Sequence, residues 1–274
     1  MCLSGGTMKL SFVALSLVAI STFAAVGCAA PSDDDQAPAG DEEDLTARSV
    51  PGAVAVEIAE VHNRDKVLSS KTVGAPKKVK SVLAGVRKLR RDEATPKCIM
   101  QDTTRLTFLD AEGKAIATVS SYCGGFGSID FASGKAGYGV KFDGDAVNAA
   151  KDAPFAVGDA LWGSTTIELT KPGTQEKRTI TGDAMKPIMD GYDLDEVPNP
   201  NASFPRCLPS HAVTFLRGKN KVAYSSFLCG GGEAPSKLQA SFTVPDPAKA
   251  DATLSHGGIQ IDPRPVLKAF EKKQ

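Results

Sequence analysis

The feature that most constrains the fold of this chain is an internal repeat built around two pairs of cysteines. Residues 97–125 read KCIMQDTTRLTFLDAEGKAIATVSSYCGG, and residues 206–231 read RCLPSHAVTFLRGKNKVAYSSFLCGG. Both stretches begin with a basic residue and a cysteine, continue through TFL, GK and SS, and then reach an aromatic residue and CGG. Because a repeat of this kind dictates the architecture of a chain, we place one unit at residues 51–152 and a second at residues 153–274.

Each unit has the pattern of a small sheet with helices. Residues 53–60 alternate apolar and polar side chains, and a turn at HNRD leads into a second strand at residues 66–73. Apolar residues at helical spacing predict a helix over residues 76–90. Residues 106–109 and 115–122 are expected to form a hairpin, followed by two shorter strands and a final helix. We therefore predict an α+β fold of two tandem repeats, each an antiparallel sheet with helices on one face.

Four cysteines lie in the repeated stretches, and four cysteines allow three disulfide connectivities. Each unit holds one pair that flanks the same hairpin, so the repeat predicts Cys98–Cys123 and Cys207–Cys229. The alternative is a catalytic cysteine in SSYCGG, which requires a neighbouring base to lower its pKa. His62 is the candidate base in the first unit, and the second unit repeats the cysteine without a counterpart of it, so one disulfide per repeat is the favoured interpretation.

The N-terminal residues resemble the signal of a bacterial lipoprotein. Residues 10–27 are uncharged and follow a basic residue, which is the form of a secretory signal peptide. They end on the sequence AVGC, which resembles the lipobox except that alanine replaces the usual leucine at its first position. The resemblance implies a signal peptide at residues 1–27, cleavage before Cys28 and lipid attachment to its sulfur. Cleavage after Ala30 and an uncleaved anchor helix are the alternatives.

Residues 28–50 are expected to form a disordered acidic tether. They contain seven Asp or Glu residues against one Arg, and such a segment cannot offset the entropy lost on ordering. A site for calcium or a basic partner is the alternative to a spacer that its own charge extends. With lipid on Cys28, the chain is predicted to be an exported, membrane-anchored lipoprotein. Ala29 and Ala30 follow in place of the aspartate that retains lipoproteins in the inner membrane of enteric bacteria, so the outer membrane is favoured.

The unit as a whole resembles small, uncharacterised secreted proteins and lipoproteins that are common in high-GC bacteria. The resemblance lies in the order of helix, cysteine, hairpin, Cys-Gly, strand, aspartate and helix. The residues that carry it are KKVKSVLAGV, Cys98, LTFLDAEGKAIATV, Cys123-Gly124 and VKFDGDAVNAA, with their counterparts in the second unit. It covers most of the mature chain and implies no activity that could be transferred.

A basic stretch in the first unit is a candidate contact site. The sequence KKVKSVLAGVRKLRR places seven basic residues within residues 77–91. Lys77, Lys78, Arg87 and Arg91 are the candidate contacts with anionic head groups or an acidic partner. The favoured interpretation is the solvated face of an amphipathic helix, whose long basic side chains cover apolar surface.

Other polar clusters have simpler interpretations. The acidic stretch DGYDLDE at residues 190–196 could offer oxygen ligands to calcium, but its spacing is not that of an EF-hand, so a solvated loop is favoured. Asp143 is expected to cap the helix that follows it. The three histidines, His62, His211 and His256, share no ligand spacing. The sequence contains no GxSxG, HExxH, P-loop or dinucleotide-binding glycine motif.

The sequence therefore predicts a non-catalytic cell-envelope lipoprotein that binds an unidentified ligand. An envelope protein or polymer is the expected partner, the lipid anchor is the expected link to the membrane, and no cofactor or metal is expected. With 32 Lys and Arg against 32 Asp and Glu, the balance of charge argues against nucleic-acid binding. An extracytoplasmic hydrolase with an unrecognised carboxylate site is the alternative, and a deep pocket with paired carboxylates would favour it. A flat surface without an apolar patch would favour a passive spacer.

Overall fold

Two antiparallel β-sheets connected by short helices make up the fold in the computed structural model. The structure describes residues 49–63, 65–90, 93, 102–122, 125–203, 208–227, 236–246, 248–249 and 252–271. All of these residues belong to one compact unit, Asp41–Gln274. Within the described residues, no helix is both long and apolar enough to cross a membrane. The predicted α+β class with antiparallel sheets is confirmed.

The first sheet contains seven strands. They are β1 (Ala55–His62), β2 (Lys66–Val73), β3 (Val86–Lys88), β4 (Asp102–Leu109), β5 (Ala115–Ser121), β6 (Phe126–Phe131) and β7 (Tyr138–Phe142). They lie in the order β2-β1-β4-β5-β6-β7-β3. Helix α1 (Pro76–Ala84) buries its apolar side chains in the core of this sheet, and helix α2 (Gly144–Asp152) packs against α1.

Asp143 caps helix α2, as the sequence predicts. Its Oδ1 accepts hydrogen bonds from the backbone N–H groups of Asp145, at 3.0 Å, and Ala146, at 3.1 Å. This arrangement satisfies two donors that have no partner inside the helix. The carboxylate is therefore a helix cap, which accounts for its position directly after β7.

The second sheet contains six strands. They are β8 (Thr166–Thr170), β9 (Lys177–Thr181), β10 (His211–Arg217), β11 (Asn220–Phe227), β12 (Leu238–Pro245) and β13 (Thr253–Ile261). Their order is β9-β8-β10-β11-β12-β13. Its helices are α3 (Val157–Leu161), α4 (Lys186–Met189), which follows a 3₁₀ turn at Gly182–Met185, and α5 (Arg264–Glu271).

The two sheets share their strand order and their register. When β3 is left aside, the neighbours in the first sheet match those in the second strand for strand. Glu57 pairs with Thr107 in the first sheet, and Glu168 pairs with Thr214 in the second. The phenylalanine that follows each of these threonines precedes a β-bulge in both sheets.

Each sheet buries one face in its own core and leaves the other face partly open. Leu106 and Phe108 are fully buried in the first core, so Thr107 between them lies on the open face. Tyr224 lies on the open face of the second sheet for the same reason, between buried Ala223 and Ser225. The open faces are rich in Ser, Thr and Tyr, and they are only partly exposed.

The helix predicted over residues 76–90 is wrong in its second half. Helix α1 ends at Ala84, and after Gly85 the chain forms β3, which pairs with β7. The apolar spacing beyond Gly85 fits a helix locally, but pairing with a strand about fifty residues later decides the backbone conformation, as tertiary contacts override weak local propensity. The strand predicted at residues 66–73 is confirmed with the same bounds.

Candidate functional site

The carboxylate of Asp159, on α3, joins the second half of the chain to the first. Its Oδ1 accepts hydrogen bonds from the backbone N–H groups of Gly74, at 2.9 Å, and Ala75, at 3.1 Å. Its Oδ2 accepts one from the N–H of Ala156, at 2.9 Å, and forms an ion pair with Lys78. The Asp159 side chain is 4% exposed and the Lys78 side chain 10%. The junction is therefore held by a buried carboxylate with four donors.

Two lysines of the first half hold the segment that connects α2 to α3. The Lys78 ammonium donates a second hydrogen bond to the carbonyl of Pro154, at 2.7 Å. The Lys71 ammonium donates to the carbonyl of Lys151, near the end of α2, and to that of Ala153, at 3.4 Å, in the connecting segment. Because both ammonium groups are partly buried and bound to backbone oxygens, the connecting segment is fixed against the first sheet.

Glycines allow the backbones to approach closely at this junction. A Cβ on Gly158 would lie 2.8 Å from the Cα of Ala75 and 2.8 Å from the carbonyl oxygen of Leu194. A Cβ on Gly74 would lie 2.5 Å from the Trp162 ring. Only glycine fits at either position without movement of the neighbouring groups.

The acidic loop at residues 190–196 also stabilises the fold. The Asp195 carboxylate accepts a hydrogen bond from the backbone N–H of Lys77, at 2.7 Å, in the first turn of α1. The Glu196 carboxylate accepts one from the N–H of Gln260, at 2.9 Å. Burial raises the pKa of Glu196, and this hydrogen bond offsets part of the rise. The described residues contain no group of three or more His, Cys, Asp or Glu placed to hold a metal ion.

An apolar cleft of about 710 Å³ lies beside the junction, between α1 and α3. Its walls are mainly aliphatic and include Val54, Val79, Leu83, Leu161, Met189 and Leu194. Among the described lining residues there is no Asp, Glu, His or Cys, and Lys80 is the only charged one. The volume lies within the range of about 300–1,000 Å³ that is typical of small-molecule sites.

Trp162, the only tryptophan in the sequence, forms one wall of this cleft. The Arg217 guanidinium lies 3.7 Å from the centroid of its ring and donates a hydrogen bond to the Trp162 carbonyl. Partial burial lowers the pKa of Arg217, and the cation–π contact with the ring compensates for part of the lost hydration. The indole is therefore fixed in place, where it can report on anything that enters the cleft.

The described part of the chain begins beside the cleft. Val50, which is 2% exposed, is part of the first core. Ala53 and Val54 follow it and line the cleft. Whatever precedes residue 49 is therefore attached within a few residues of the cleft wall.

The four basic residues named as candidate contacts for an anionic partner do not form one exposed face. Lys77 is exposed, but Lys78 is buried in the ion pair described above. Arg87 lies in β3, where it forms two hydrogen bonds with Glu93, at 2.8 and 3.1 Å. These bonds, together with one from the Arg90 N–H, lower the pKa of Glu93 to about 2. Arg91 lies outside the described residues. The expectation of a single basic helix face is corrected, because the helix ends before Arg87 and turns Lys78 inward.

We expect Lys77→Glu to change the free energy of unfolding by less than about 0.5 kcal/mol, because the side chain is exposed. If α1 contacts an anionic surface, this reversal weakens co-sedimentation with phosphatidylglycerol vesicles at low salt. The difference should fade at 0.15 M salt and above, where the Debye length is about 8 Å or less. Lys219→Glu, on the β10–β11 turn, is the matched control, and equal binding by both variants would exclude Lys77 as a contact.

The predictions that rest on cysteines concern residues outside the described part of the chain. These residues are Cys28, Cys98, Cys123, Cys207 and Cys229. Lipidation and the two disulfides therefore stay predictions. The same holds for the signal peptide, and for the tether up to residue 48.

The three histidines lie in different strands. His62 ends β1, and His211 begins β10, where its Nδ1 lies 2.8 Å from the Ser210 hydroxyl. His256 lies in β13 and stacks on Phe155 at 4.2 Å between ring centroids. Partial burial lowers the pKa of His211 and of His256.

The sequence analysis missed the residues that form the junction and the cleft. Nothing in the local pattern around Asp159 distinguishes it from a solvated acidic residue, because its donors lie in another part of the chain. Trp162 offered a signal, since it is the only tryptophan in a chain with 6% aromatic residues and precedes a glycine. A single tryptophan in such a chain is a reasonable marker of a binding surface.

Comparisons of the chain with protein-family models, curated proteins and solved structures found no match in any of the three. The functional argument therefore rests on the geometry of the described residues.

Proposed function

We propose that this chain is a non-catalytic cell-envelope binding protein whose apolar cleft holds the hydrocarbon part of an amphiphilic ligand. The observation that carries the proposal is the cleft of about 710 Å³ with aliphatic and aromatic walls. Each methylene that a ligand buries there gains about 0.8 kcal/mol. A passive spacer has no need of such a cleft, because monomeric proteins rarely expose large apolar surfaces without a partner.

The ligand class that best fits the cleft is a single-chain lipid with an anionic head group, such as a fatty acid or a lysophospholipid. The mainly aliphatic walls suit a hydrocarbon chain, whereas the Lys80 ammonium can pair with one carboxylate or phosphate. The described chain begins within a few residues of Ala53 and Val54. A tether from Cys28 to residue 49 spans at most about 75 Å, so a lipid anchor would keep the cleft near a source of such ligands.

Binding of palmitate is expected to change the fluorescence of Trp162, because this sole tryptophan lines the cleft. Affinity should rise from octanoate to palmitate as more methylenes are buried. Val54→Asp, which places a carboxylate in the cleft wall, should weaken palmitate binding by about tenfold or more. Val67→Asp is the matched control, since Val54 is 38% exposed and Val67, on β2 and away from the cleft lining, is 45% exposed.

The head group is tested separately. Hexadecanol has the same chain as palmitate without its charge, and Lys80→Met should remove the preference for palmitate over hexadecanol. Lysophosphatidylglycerol distinguishes a phosphate head group from a carboxylate. If none of these lipids changes the emission of Trp162 or co-purifies with the protein by mass spectrometry, the proposed function is wrong.

The lining of the cleft supports binding in preference to hydrolysis. General acid–base catalysis needs a carboxylate or an imidazole within hydrogen-bond reach of the substrate. The described lining residues include no Asp, Glu, His or Cys. No observation at this site therefore favours the alternative of an extracytoplasmic hydrolase.

We further propose that the chain is exported and anchored through lipid on Cys28, with the outer membrane favoured over the inner. The support is the uncharged run that ends in AVGC, followed by Ala29 and Ala30. Cys28→Ser is expected to prevent metabolic labelling with alkynyl palmitate and to block processing or release the protein from membranes. Unchanged labelling and unchanged fractionation would contradict the anchor.

We also infer that the two halves arose by duplication and that each carries one disulfide. The support is the shared strand order and register of the two sheets. Ser120 and Ser226 occupy equivalent register positions, and Cys123 and Cys229 each follow them by three residues. Peptide mapping without reduction should find Cys98 joined to Cys123 and Cys207 joined to Cys229. A bond between Cys98 and Cys207 would overturn both the pairing and the boundaries of the units.

A further inference from the structure

The open face of the first sheet carries a small polar pocket that is separate from the cleft. Its volume is about 250 Å³. Strand pairing places Arg105 beside Ser120, and Ser120 beside Ser128 on the next strand, so these side chains form a row across the sheet. The hydroxyl groups of Thr103 and Tyr122 complete the lining on this side.

Arg105 is the feature of this pocket that points to a ligand. Its side chain is partly buried, and no hydrogen bond or ion pair joins its guanidinium to any described residue. A guanidinium presents five N–H donors in a fixed plane that fits the two oxygens of a carboxylate. With no acceptor among the described residues, this partly buried guanidinium keeps its donors available, and an anionic ligand would offer them a strong acceptor.

The hydroxyl groups around Arg105 match a ligand that itself carries hydroxyls. The Tyr122 and Ser128 hydroxyl oxygens lie 2.7 Å apart, so each holds the other in place and keeps further hydrogen-bonding capacity. Ser120 makes no hydrogen bond to a described side chain and lies between Arg105 and Ser128. A ligand in the pocket can therefore exchange several hydroxyl hydrogen bonds next to its anionic group.

Asp130 limits the negative charge that a ligand in the pocket can carry. It lines the pocket and lies two residues beyond Ser128 on β6, so it shares the same face of the sheet. Because the Asp130 carboxylate lines the pocket, it repels a doubly charged phosphate there more strongly than a singly charged carboxylate. It can also accept hydrogen bonds from neutral hydroxyls of the ligand.

We infer that this pocket is a second binding site, for a monosaccharide-sized sugar that carries one carboxylate. Arg105 binds the carboxylate, and the hydroxyls of Ser120, Ser128 and Tyr122, together with Asp130, bind the sugar hydroxyls. The volume of about 250 Å³ lies just below the range of about 300–1,000 Å³ that is typical of drug-sized ligands, which limits the occupant to one small ring. The inference does not depend on the lipid-binding proposal, since the two sites share no lining residue.

The second sheet provides an internal comparison. Ala212 occupies the position equivalent to Arg105, because it pairs with Ser226 as Arg105 pairs with Ser120. By the same register, Thr243 stands in the place of Asp130. The two charged groups therefore belong to the first sheet alone. Arg105→Ala gives the row of Arg105, Ser120 and Ser128 the Ala-Ser-Ser arrangement of the second sheet and leaves Asp130 in place.

Isothermal titration calorimetry with sodium glucuronate, glucose and inorganic phosphate tests this site. Glucuronate is expected to bind about tenfold or more tightly than glucose, because a charge-assisted pair with Arg105 distinguishes them. Arg105→Ala should abolish that difference, and Asp130→Asn should improve phosphate binding. Lys219→Ala removes an equal charge from the β10–β11 turn and should leave all three affinities unchanged.

Several outcomes would overturn the inference. Equal affinity for glucuronate and glucose, no binding of either, or phosphate bound more tightly than glucuronate would each exclude an acidic-sugar site. An equal loss of binding in Lys219→Ala would show that only the total charge matters. The urea midpoint confirms that Arg105→Ala is folded, and Arg105→Gln, which keeps the length of the side chain, replaces it if it is not.

Discussion

Replacing Asp159 with alanine is expected to destabilise the whole described fold by about 3–5 kcal/mol, because it leaves the buried Lys78 ammonium without its partner. The same change leaves the backbone N–H groups of Gly74, Ala75 and Ala156 without their acceptor. Domains of this kind have a total stability of about 5–15 kcal/mol. Urea unfolding followed by circular dichroism measures the loss, and one transition is expected because both sheets belong to one compact unit.

The control for this prediction is the other member of the ion pair. Lys78→Met removes the ammonium but leaves Asp159 with three backbone donors, so the carboxylate stays hydrogen-bonded. The loss of stability should therefore be clearly smaller than for Asp159→Ala. If the two variants lose equal stability, the Coulombic pair dominates and the backbone hydrogen bonds contribute little. If Asp159→Ala loses less than about 1 kcal/mol, the carboxylate does not hold the junction.

The strands were predictable wherever local pattern and final pairing agree. The strand at residues 66–73 and the hairpin of β4 and β5 follow from alternation and turn residues. The shared TFL sequence also anticipated that β4 and β10 occupy equivalent places in their sheets. In β4 and β5, the apolar side chains that alternate with polar ones in the sequence are the ones that the sheet buries on one face.

The candidate sites were less predictable, because they depend on contacts between distant residues. Asp159 meets Gly74 across 85 positions and Lys78 across 81. No local periodicity encodes such a meeting, and an aspartate in a short helix is indistinguishable from a surface residue until the two halves are packed. The basic residues are not on one helix face for a related reason: packing of the halves buried Lys78, and pairing with β7 ended the helix before Arg87.

The polar row around Arg105 illustrates the same limit. Alternation along β4 places Arg105 and Thr107 on the same face, and this placement could be predicted from the sequence. Which strands lie beside β4, and hence which hydroxyls surround Arg105, depends on register. A one-residue shift in the pairing of β5 would replace Ser120 by a buried neighbour, so the pocket exists only in the observed register.

Gly158→Ala is expected to separate the two halves at a close backbone contact between them. The new Cβ would lie 2.8 Å from the Cα of Ala75, 2.8 Å from the Leu194 oxygen and 3.0 Å from the Gly74 oxygen. All three are backbone atoms that cannot rotate away, so α3 must shift as a unit. Overpacking of this kind costs about 1–3 kcal/mol. Because Trp162 follows α3 and lines the cleft, its fluorescence should change along with the urea midpoint.

Gly144→Ala is the matched control for this prediction, and it should have the opposite sign. Gly144 begins α2 and does not need a positive φ, and a Cβ added to it would meet no other atom within 4 Å. Alanine there reduces the freedom of the unfolded chain and should stabilise the protein by about 0.4–1 kcal/mol, with Trp162 emission unchanged. If Gly158→Ala behaves like Gly144→Ala, the two halves are not in close contact at α3. The cleft between α1 and α3 would then lack the rigid wall that selective binding of an acyl chain requires.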